Sequence, residues 1–132
     1  MSMTSIAFVK RVESGHEEAV LRLKETLKAN GWGVLTDIDL KTTLKERTGA
    51  DVEKYNILDV CNPKLASEGL AASKEAGLVL PCKIVVYDEG QETYISLYLP
   101  TKQLPEELRK MVALEKIAEE AEASLKALVQ GV

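Results

Sequence analysis

The sequence is poor in the residues that would tie it to a membrane, a nucleic acid or an oxidising compartment. Its 132 residues include two Cys and one His, aromatic residues make up 5%, and the net charge is −4. No run approaches the ~20 apolar residues that span a bilayer, and no secretory signal is visible. The acidic balance argues against binding to nucleic acid or anionic membrane through basic charge. Two cysteines without a secretory signal indicate a reducing compartment, so we expect free thiols and a cytoplasmic protein.

The chain also lacks the motifs of common enzyme classes. It contains no glycine-rich phosphate-binding motif and no Ser-His-Asp order. Its single His16 excludes a paired-His metal motif within one subunit and is predicted to be a solvated residue in the first turn of a helix. The two cysteines are too far apart for a C-x-x-C motif, and one subunit cannot supply the four Cys or His ligands of a usual structural zinc site. These absences favour a binding protein over an enzyme, and they leave the cofactor and any metal open.

Hydrophobic residues are plentiful, at 45% of the chain. A chain of this length fits one domain with one core, so we expect a single domain over residues 1–132. The periodicity of the apolar residues predicts a series of alternating elements. Strands are predicted at 6–12, 32–38, 55–61, 82–87 and 93–99, and helices at 15–29, 39–48, 63–76 and 105–129.

Local signals support several of these boundaries. Ser14 and Glu17 have the spacing of a capping box at the start of the first helix. The second helix is polar, with Leu40 and Leu44 turned inward. Asn62 is a good cap for the third helix, because proline at the next position loses no hydrogen bond there.

The order β-α-β-(α)-β-α-β-β-α predicts an α/β protein of the α+β type. We expect a two-layer sandwich with a mixed, largely antiparallel sheet and helices on one face. The last strand alternates, so that Ile95 and Leu97 face the core and Tyr94, Ser96 and Tyr98 face away. Burial of that second face against another copy would give a homodimer, which is also the commonest soluble oligomer.

The most distinctive stretch holds both cysteines, each beside a proline. Its pieces, in order, are Tyr55-Asn56-Ile57-Leu58, Cys61-Asn62-Pro63, Leu65-Ala66, Gly77-Leu78, Leu80-Pro81-Cys82 and Val85-Val86-Tyr87, preceded by Ile38-Asp39-Leu40-Lys41 and Leu44-Lys45-Glu46. Together they resemble a bacterial and archaeal family called domain of unknown function 302, from about Val9 to the end of the last helix. The resemblance implies a small two-layer α/β fold that tends to dimerise, and it implies no established activity.

The chain departs from that family's common pattern at two positions. Asp59 stands where the family commonly has Gly, and Lys83 stands where it commonly has Asn. A ligand held by that asparagine amide in relatives would meet an ammonium group in this protein.

The two cysteines are either reactive groups or small buried residues, since free Cys is among the most buried residue types. If a parallel crossover joins their strands, Cys61 lies at the exit of one strand and Cys82 at the entrance of the other. The two ends are then roughly 20 Å apart, at ~3.3 Å per residue. A disulfide needs Cα atoms within about 7 Å, so we predict no Cys61–Cys82 disulfide within a subunit.

The region around these cysteines is the candidate ligand site. A helix starting at Asn62 would favour a Cys61 thiolate or a small anion at its N-terminus, with Lys64 or Lys83 contributing. We favour a small dimeric module that binds a small molecule, an anion or a metal. The alternatives are a thiol-dependent enzyme or redox sensor using Cys61, and a structural or interaction subunit without a ligand. The candidate residues are Cys61, Asn62, Pro63, Pro81, Cys82 and Lys83.

Overall fold

The computed structural model describes residues 2–3 and 6–132, and it has one antiparallel sheet with helices packed on one face. This arrangement confirms the α+β two-layer sandwich. The strands, in chain order, are β1 (Ser2–Met3), β2 (Ala7–Val12), β3 (Gly33–Asp39), β4 (Tyr55–Cys61), β5 (Cys82–Glu89) and β6 (Glu92–Tyr98). Their order across the sheet is β1-β2-β6-β5-β4-β3.

The helices agree with the predicted order except in the last third of the chain. They are α1 (His16–Ala29), α2 (Leu40–Thr48), α3 (Pro63–Ala72), α4 (Pro100–Gln103), α5 (Glu106–Arg109) and α6 (Val112–Gln130), with a 3-10 helix at Lys74–Leu78. The single helix predicted at 105–129 is therefore wrong. Met111 has extended backbone angles (φ −82°, ψ 104°) and interrupts the helix. Leu108 and Met111 pack instead on a small cluster with Leu104 and Leu114, and this burial outweighs helical continuity.

The direction of β5 differs from the sequence-based expectation. β4 and β5 are antiparallel neighbours in which Val60 lies opposite Cys82, so the parallel crossover is wrong. A parallel connection needs a helix that runs back along the whole strand, which for the seven residues of β4 is roughly 23 Å. The ten residues of α3 span only about 15 Å. The 3-10 helix then turns the chain, and β5 starts beside the end of β4.

The main core lies between one sheet face and the helices α1 and α6. Alternation along the strands buries one side chain in two, as the pattern of β6 predicts. Trp32 is also buried, and its indole N–H donates to the Ser124 hydroxyl on α6 at 3.0 Å. The largest fully buried side chains are Leu23, Leu27, Leu58, Ile84, Ile95, Leu97, Leu125, Val60, Val86 and Val129.

The predicted capping box of α1 is wrong, and the predicted inward turn of Leu40 and Leu44 on α2 is only partial. Gly15, not Ser14, precedes α1 as its cap, and it makes no side-chain cap bond. The Ser14 hydroxyl is buried and, within the described residues, has no hydrogen-bond partner. No residue of α2 is buried, because α2 follows the edge strand β3 and extends beyond the core; Leu40 and Leu44 are only half-buried.

The structure bears in part on one broader expectation, the absence of a membrane span, and does not test the single domain. In the part of the chain that it describes, no helix is long and apolar enough to cross a membrane. The single domain over residues 1–132 stays a prediction.

Shortening a core side chain tests the packing of the two layers. Ile84 is fully buried at the centre of β5, and Ile84→Ala removes methyl groups without letting the sheet collapse around the gap. We expect the free energy of unfolding in urea to fall by about 2–5 kcal/mol. The control is Val112→Ala at an exposed helix position, where we expect a change within ~0.5 kcal/mol. Similar losses for both variants would contradict the assignment of the core.

Candidate functional site

A mainly apolar cavity of about 50 Å³ lies at the end of the sheet where β4 ends and β5 begins. The strands contribute Val60, Cys61 and Cys82 to its wall. Residues of the helices α3, α4 and α6 and of the 3-10 helix line the rest of it. The helical lining residues are small or aliphatic in the main: Leu65, Ala66, Gly69, Ala76, Leu114, Ile117, Ala118 and Ala121.

The structure brings together three of the six predicted site residues, namely Cys61, Asn62 and Cys82. Pro63 occupies the first turn of α3 and is exposed, so it shapes the helix start without bordering the cavity. Pro81 precedes β5 through a cis Leu80–Pro81 bond and also lies outside the cavity wall.

Lys83 lies on the other face of the sheet. Its ammonium donates to the Asp59 carboxylate at 3.1 Å, and the two residues are register partners across β4 and β5. The Thr36 hydroxyl, followed by the Lys83 ammonium, lowers the pKa of Asp59. Asp59 and Lys83 are therefore joined as one ion pair, away from the cavity.

Asn62 is the cap of α3, as predicted. Its side-chain oxygen accepts hydrogen bonds from the backbone N–H groups of Lys64 at 3.1 Å and Leu65 at 3.2 Å. Those are the N–H groups that would otherwise hold an anion, since Pro63 has none. The exposed Lys64 ammonium lies 3.9 Å from Glu68. The anion site expected at this helix end thus has its donors already engaged.

The two cysteines lie at the same end of the sheet in different environments. Cys82 is 6% exposed, and burial, with a smaller contribution from Cys61 nearby, raises its pKa to about 12. Such a thiol keeps its proton at physiological pH, and only the thiolate is a strong nucleophile. Cys61, at the end of β4, is half-buried.

The geometry removes the reason given for expecting no disulfide between these residues. Their strands are adjacent, so the separation of about 20 Å does not exist. Val60, not Cys61, is the register partner of Cys82, and both cysteines border the cavity. The absence of a Cys61–Cys82 disulfide stays a prediction.

The cysteines have few other metal-binding side chains around them. Among the residues that the structure describes, no group of three or more His, Cys, Asp and Glu side chains could hold a metal ion. The cavity offers two sulfur atoms and one amide, which is fewer than a usual closed zinc site requires.

The helical wall of the cavity was not predicted from the sequence. Gly69 is a buried residue of α3 at this wall, and an added Cβ there would lie 3.7 Å from Ala76 and 3.9 Å from a Leu114 methyl. A glycine inside a helical pattern is a sign of close packing, and this was the available signal. Leu114 and Ala118 come from α6, and no local pattern relates that helix to the cysteines.

His16 was predicted to be solvated, and this prediction is wrong. It is 5% exposed and lies beneath a polar groove of about 260 Å³ at the opposite end of β4. Its ring nitrogens lie 3.0 Å from Asp88 Oδ1 and 2.6 Å from Asn56 Oδ1. The partners are far away in sequence, which is why a helix-start position that looks exposed becomes buried.

Comparisons with known proteins agree with the fold. The profile of a family described as "Domain of unknown function DUF302" matches residues 8–132. A crystal structure of an uncharacterized conserved DUF302 protein from Bacillus stearothermophilus is similar to the chain at 34% identity, with a TM-score of 0.87. The match covers 96% of this chain and 98% of that protein. Among curated proteins, no significant match was found.

Thiol labelling tests the contrast between the two cysteines. With iodoacetamide at about pH 8, we expect the folded protein to be modified at Cys61 much faster than at Cys82, since burial keeps the Cys82 thiol protonated and covered. Peptide mass spectrometry locates the modification, and unfolding in guanidinium should make both rates equal. The control variant Cys82→Ser should leave the labelling of Cys61 unchanged. Equal rates in the folded wild-type protein would contradict this description of the site.

Proposed function

The chain belongs to the family described as domain of unknown function DUF302, and we propose that it is a homodimeric binding module for a small, mainly apolar ligand. The observation that carries the proposal is the cavity between β4, β5, α3 and α6. Three residues of the sequence signature border it: Cys61, Asn62 and Cys82. A signature that serves packing alone would not need an open space at its centre, because protein interiors are normally close-packed.

The cavity limits the ligand by size and polarity. Its volume of about 50 Å³ is well below the roughly 150 Å³ of an engineered cavity that binds benzene, so it holds only a few heavy atoms or the tip of a larger molecule. The best small ligands gain about 1.5 kcal/mol per heavy atom. Three or four atoms therefore give at most about 6 kcal/mol, which is a dissociation constant no tighter than roughly 40 μM. Higher affinity would need contacts outside the cavity.

The chemistry of the lining supports binding rather than catalysis. Burial keeps the Cys82 thiol in its protonated form, which is a poor nucleophile. Asn62 already uses its side-chain oxygen as the cap of α3. The only histidine lies at the other end of β4 and has a hydrogen-bond partner at each ring nitrogen. A thiol-dependent reaction at Cys61 would thus lack a neighbouring histidine as general base.

The sheet face turned away from the helices supports the homodimer. One row across it joins Ile57, Val85, Ser96 and Val9 as register partners, all half-buried. Beside that row, three tyrosines stack at centroid distances of 5.7 and 5.4 Å: Tyr55, Tyr87 and Tyr94.

The charges on this face support the same conclusion. The Asp59 and Lys83 charges neutralise each other within the subunit. A face with an apolar centre and internally paired charges is self-complementary, as a C2 interface requires. Tyr94, Ser96 and Tyr98 remain the proposed contact, now extended to the neighbouring strands.

Adding a methyl group inside the cavity should raise the stability of the fold and weaken ligand binding. Gly69→Ala adds one methyl at ordinary contact distance inside α3, so we expect the free energy of unfolding to rise by about 0.5–1 kcal/mol. The same methyl occupies cavity space, so we expect weaker binding of xenon, measured by chemical shifts of cavity methyl groups. The control is Gly77→Ala, where an added Cβ meets nothing within 4 Å and binding should not change. Absence of xenon binding in the wild type, or equal binding by both variants, would count against the proposal.

A charge at the centre of the uncovered face tests the dimer. Val85→Lys places an unpaired ammonium in the apolar row, which a dimer interface would have to desolvate. We expect the wild type to sediment as a dimer and Val85→Lys to sediment as a monomer at the same concentration. The control is Val112→Lys, at an exposed position on α6, which should leave the dimer intact. A monomeric wild type would refute the dimer and leave the ligand proposal standing.

A further inference from the structure

His16 is the only histidine of the chain and begins α1. It joins this helix to the sheet through both ring nitrogens. Nδ1 lies 3.0 Å from the Asp88 carboxylate on β5, and Nε2 lies 2.6 Å from the Asn56 side-chain oxygen on β4. The side chain is 4% exposed and borders the groove, and these two neighbours are the hydrogen-bond partners that the described contacts give it. The protonation state of the ring must therefore match these two neighbours.

The orientation of Asn56 determines what Nε2 must be. The Asn56 amide nitrogen donates to Asp37 Oδ1 at 2.7 Å, and a carboxylate only accepts. Asp37 is held in turn by the Lys24 ammonium. Rotating the amide by 180° would place the Asn56 side-chain oxygen against the Asp37 carboxylate, where two acceptors repel each other. The amide oxygen therefore faces His16, and Nε2 must carry a hydrogen in order to donate to it.

The second ring nitrogen also faces an acceptor. Asp88 Oδ1 accepts from the Thr93 hydroxyl at 2.8 Å and lies within an ion-pair distance of Nδ1. An ionised carboxylate offers no hydrogen, so Nδ1 must donate as well. A ring that donates from both nitrogens is an imidazolium. The two acceptors thus suit a positively charged ring, paired with the Asp88 carboxylate.

The charged groups at the rim of the groove are two carboxylates and two ammonium groups, so they add no net charge. Glu17 on α1 and Asp39 at the start of α2 bring carboxylates to its rim, and Lys41 and Lys54 bring ammonium groups. Lys54 donates to Glu17 at 2.7 Å and Lys41 donates to a backbone oxygen at 2.7 Å. Both ammonium groups thus have partners other than the ring. The Asp88 carboxylate remains the only charged group that the described contacts place within hydrogen-bond distance of the ring.

We propose that His16 is a pH-sensitive latch between α1 and the sheet. When the pH rises, Nε2–H gives its proton to solvent hydroxide, while Nδ1–H stays bound to the Asp88 carboxylate. The Nε2 lone pair then faces the Asn56 oxygen, and two acceptors repel each other where a hydrogen bond stood. Rotation of the Asn56 amide cannot repair the contact without breaking its bond to Asp37. The start of α1 is therefore held tightly at low pH and loosely at high pH.

The latch acts independently of the ligand cavity. Asn56 and Cys61 are five positions apart on β4, which places them roughly 17 Å apart. Neither ring nitrogen is free to bind a molecule in the groove. The proposal therefore concerns stability and local opening, and it does not rest on the function of the cavity.

Nitrogen NMR of the single histidine tests the latch directly, because the spectrum of this ring cannot be confused with another. In the folded wild type at about pH 6 we expect two ring N–H signals, and we expect loss of the Nε2–H signal before about pH 9. The Asn56 side-chain amide should shift in the same step. A ring with one N–H throughout, or with two N–H groups throughout, would overturn the proposal.

Variants connect this titration to stability. Asp88→Asn keeps an acceptor oxygen but removes the charge, so we expect the Nε2–H signal to be lost at a lower pH than in the wild type. For His16→Gln, we expect the loss of melting temperature relative to wild type to shrink at least twofold between about pH 5.5 and about pH 8.5. A titration unaffected by Asp88→Asn, or a pH-independent loss for His16→Gln, would refute the latch. If either variant fails to fold, the NMR titration of the wild type still decides.

Discussion

The antiparallel pairing of β4 with β5 is the constraint on which the rest of the structure depends. It sets Val60 opposite Cys82 and Asp59 opposite Lys83, and it sets Tyr55 beside Tyr87. Each pair belongs to a different feature: the cavity wall, the surface ion pair and the tyrosine stack. Because the side-chain period of a strand is two residues, a shift of one position would exchange the faces of all three. The register of this one pair thus organises both sides of the sheet.

The short connection between these strands explains why a cavity exists. α3 is too short to cover the length of β4, and the 3-10 helix returns the chain to the same end of the sheet. The gap is bordered by small residues such as Gly69, Ala76 and Ala118. Larger side chains at these positions would close it. The cavity is consequently a result of residue size along α3 and α6, and the cysteines form only part of its wall.

The two ends of β4 have opposite physical character. At Cys61 the surroundings are apolar, and burial keeps the neighbouring Cys82 thiol uncharged. At Asn56 a chain of hydrogen bonds connects Lys24, Asp37, Asn56, His16 and Asp88 across α1 and three strands. A buried polar network is favourable only when every member has a partner, and this one meets that condition at both nitrogens of the ring. The Cys61 end of β4 therefore borders a cavity, whereas the Asn56 end belongs to a network in which each polar group is hydrogen-bonded.

The sequence by itself determined the elements whose causes are local. Alternation in β6, the Asn62-Pro63 helix start and the strand–helix order were all predicted, since each depends on neighbouring residues. Only the tertiary structure decided the direction of β5, the break at Met111 and the burial of His16. The residues between β4 and β5 are compatible with either direction, and packing selects one. His16 is buried by partners 40 and 72 residues away, and such long-range hydrogen bonds leave no trace in the periodicity of the chain.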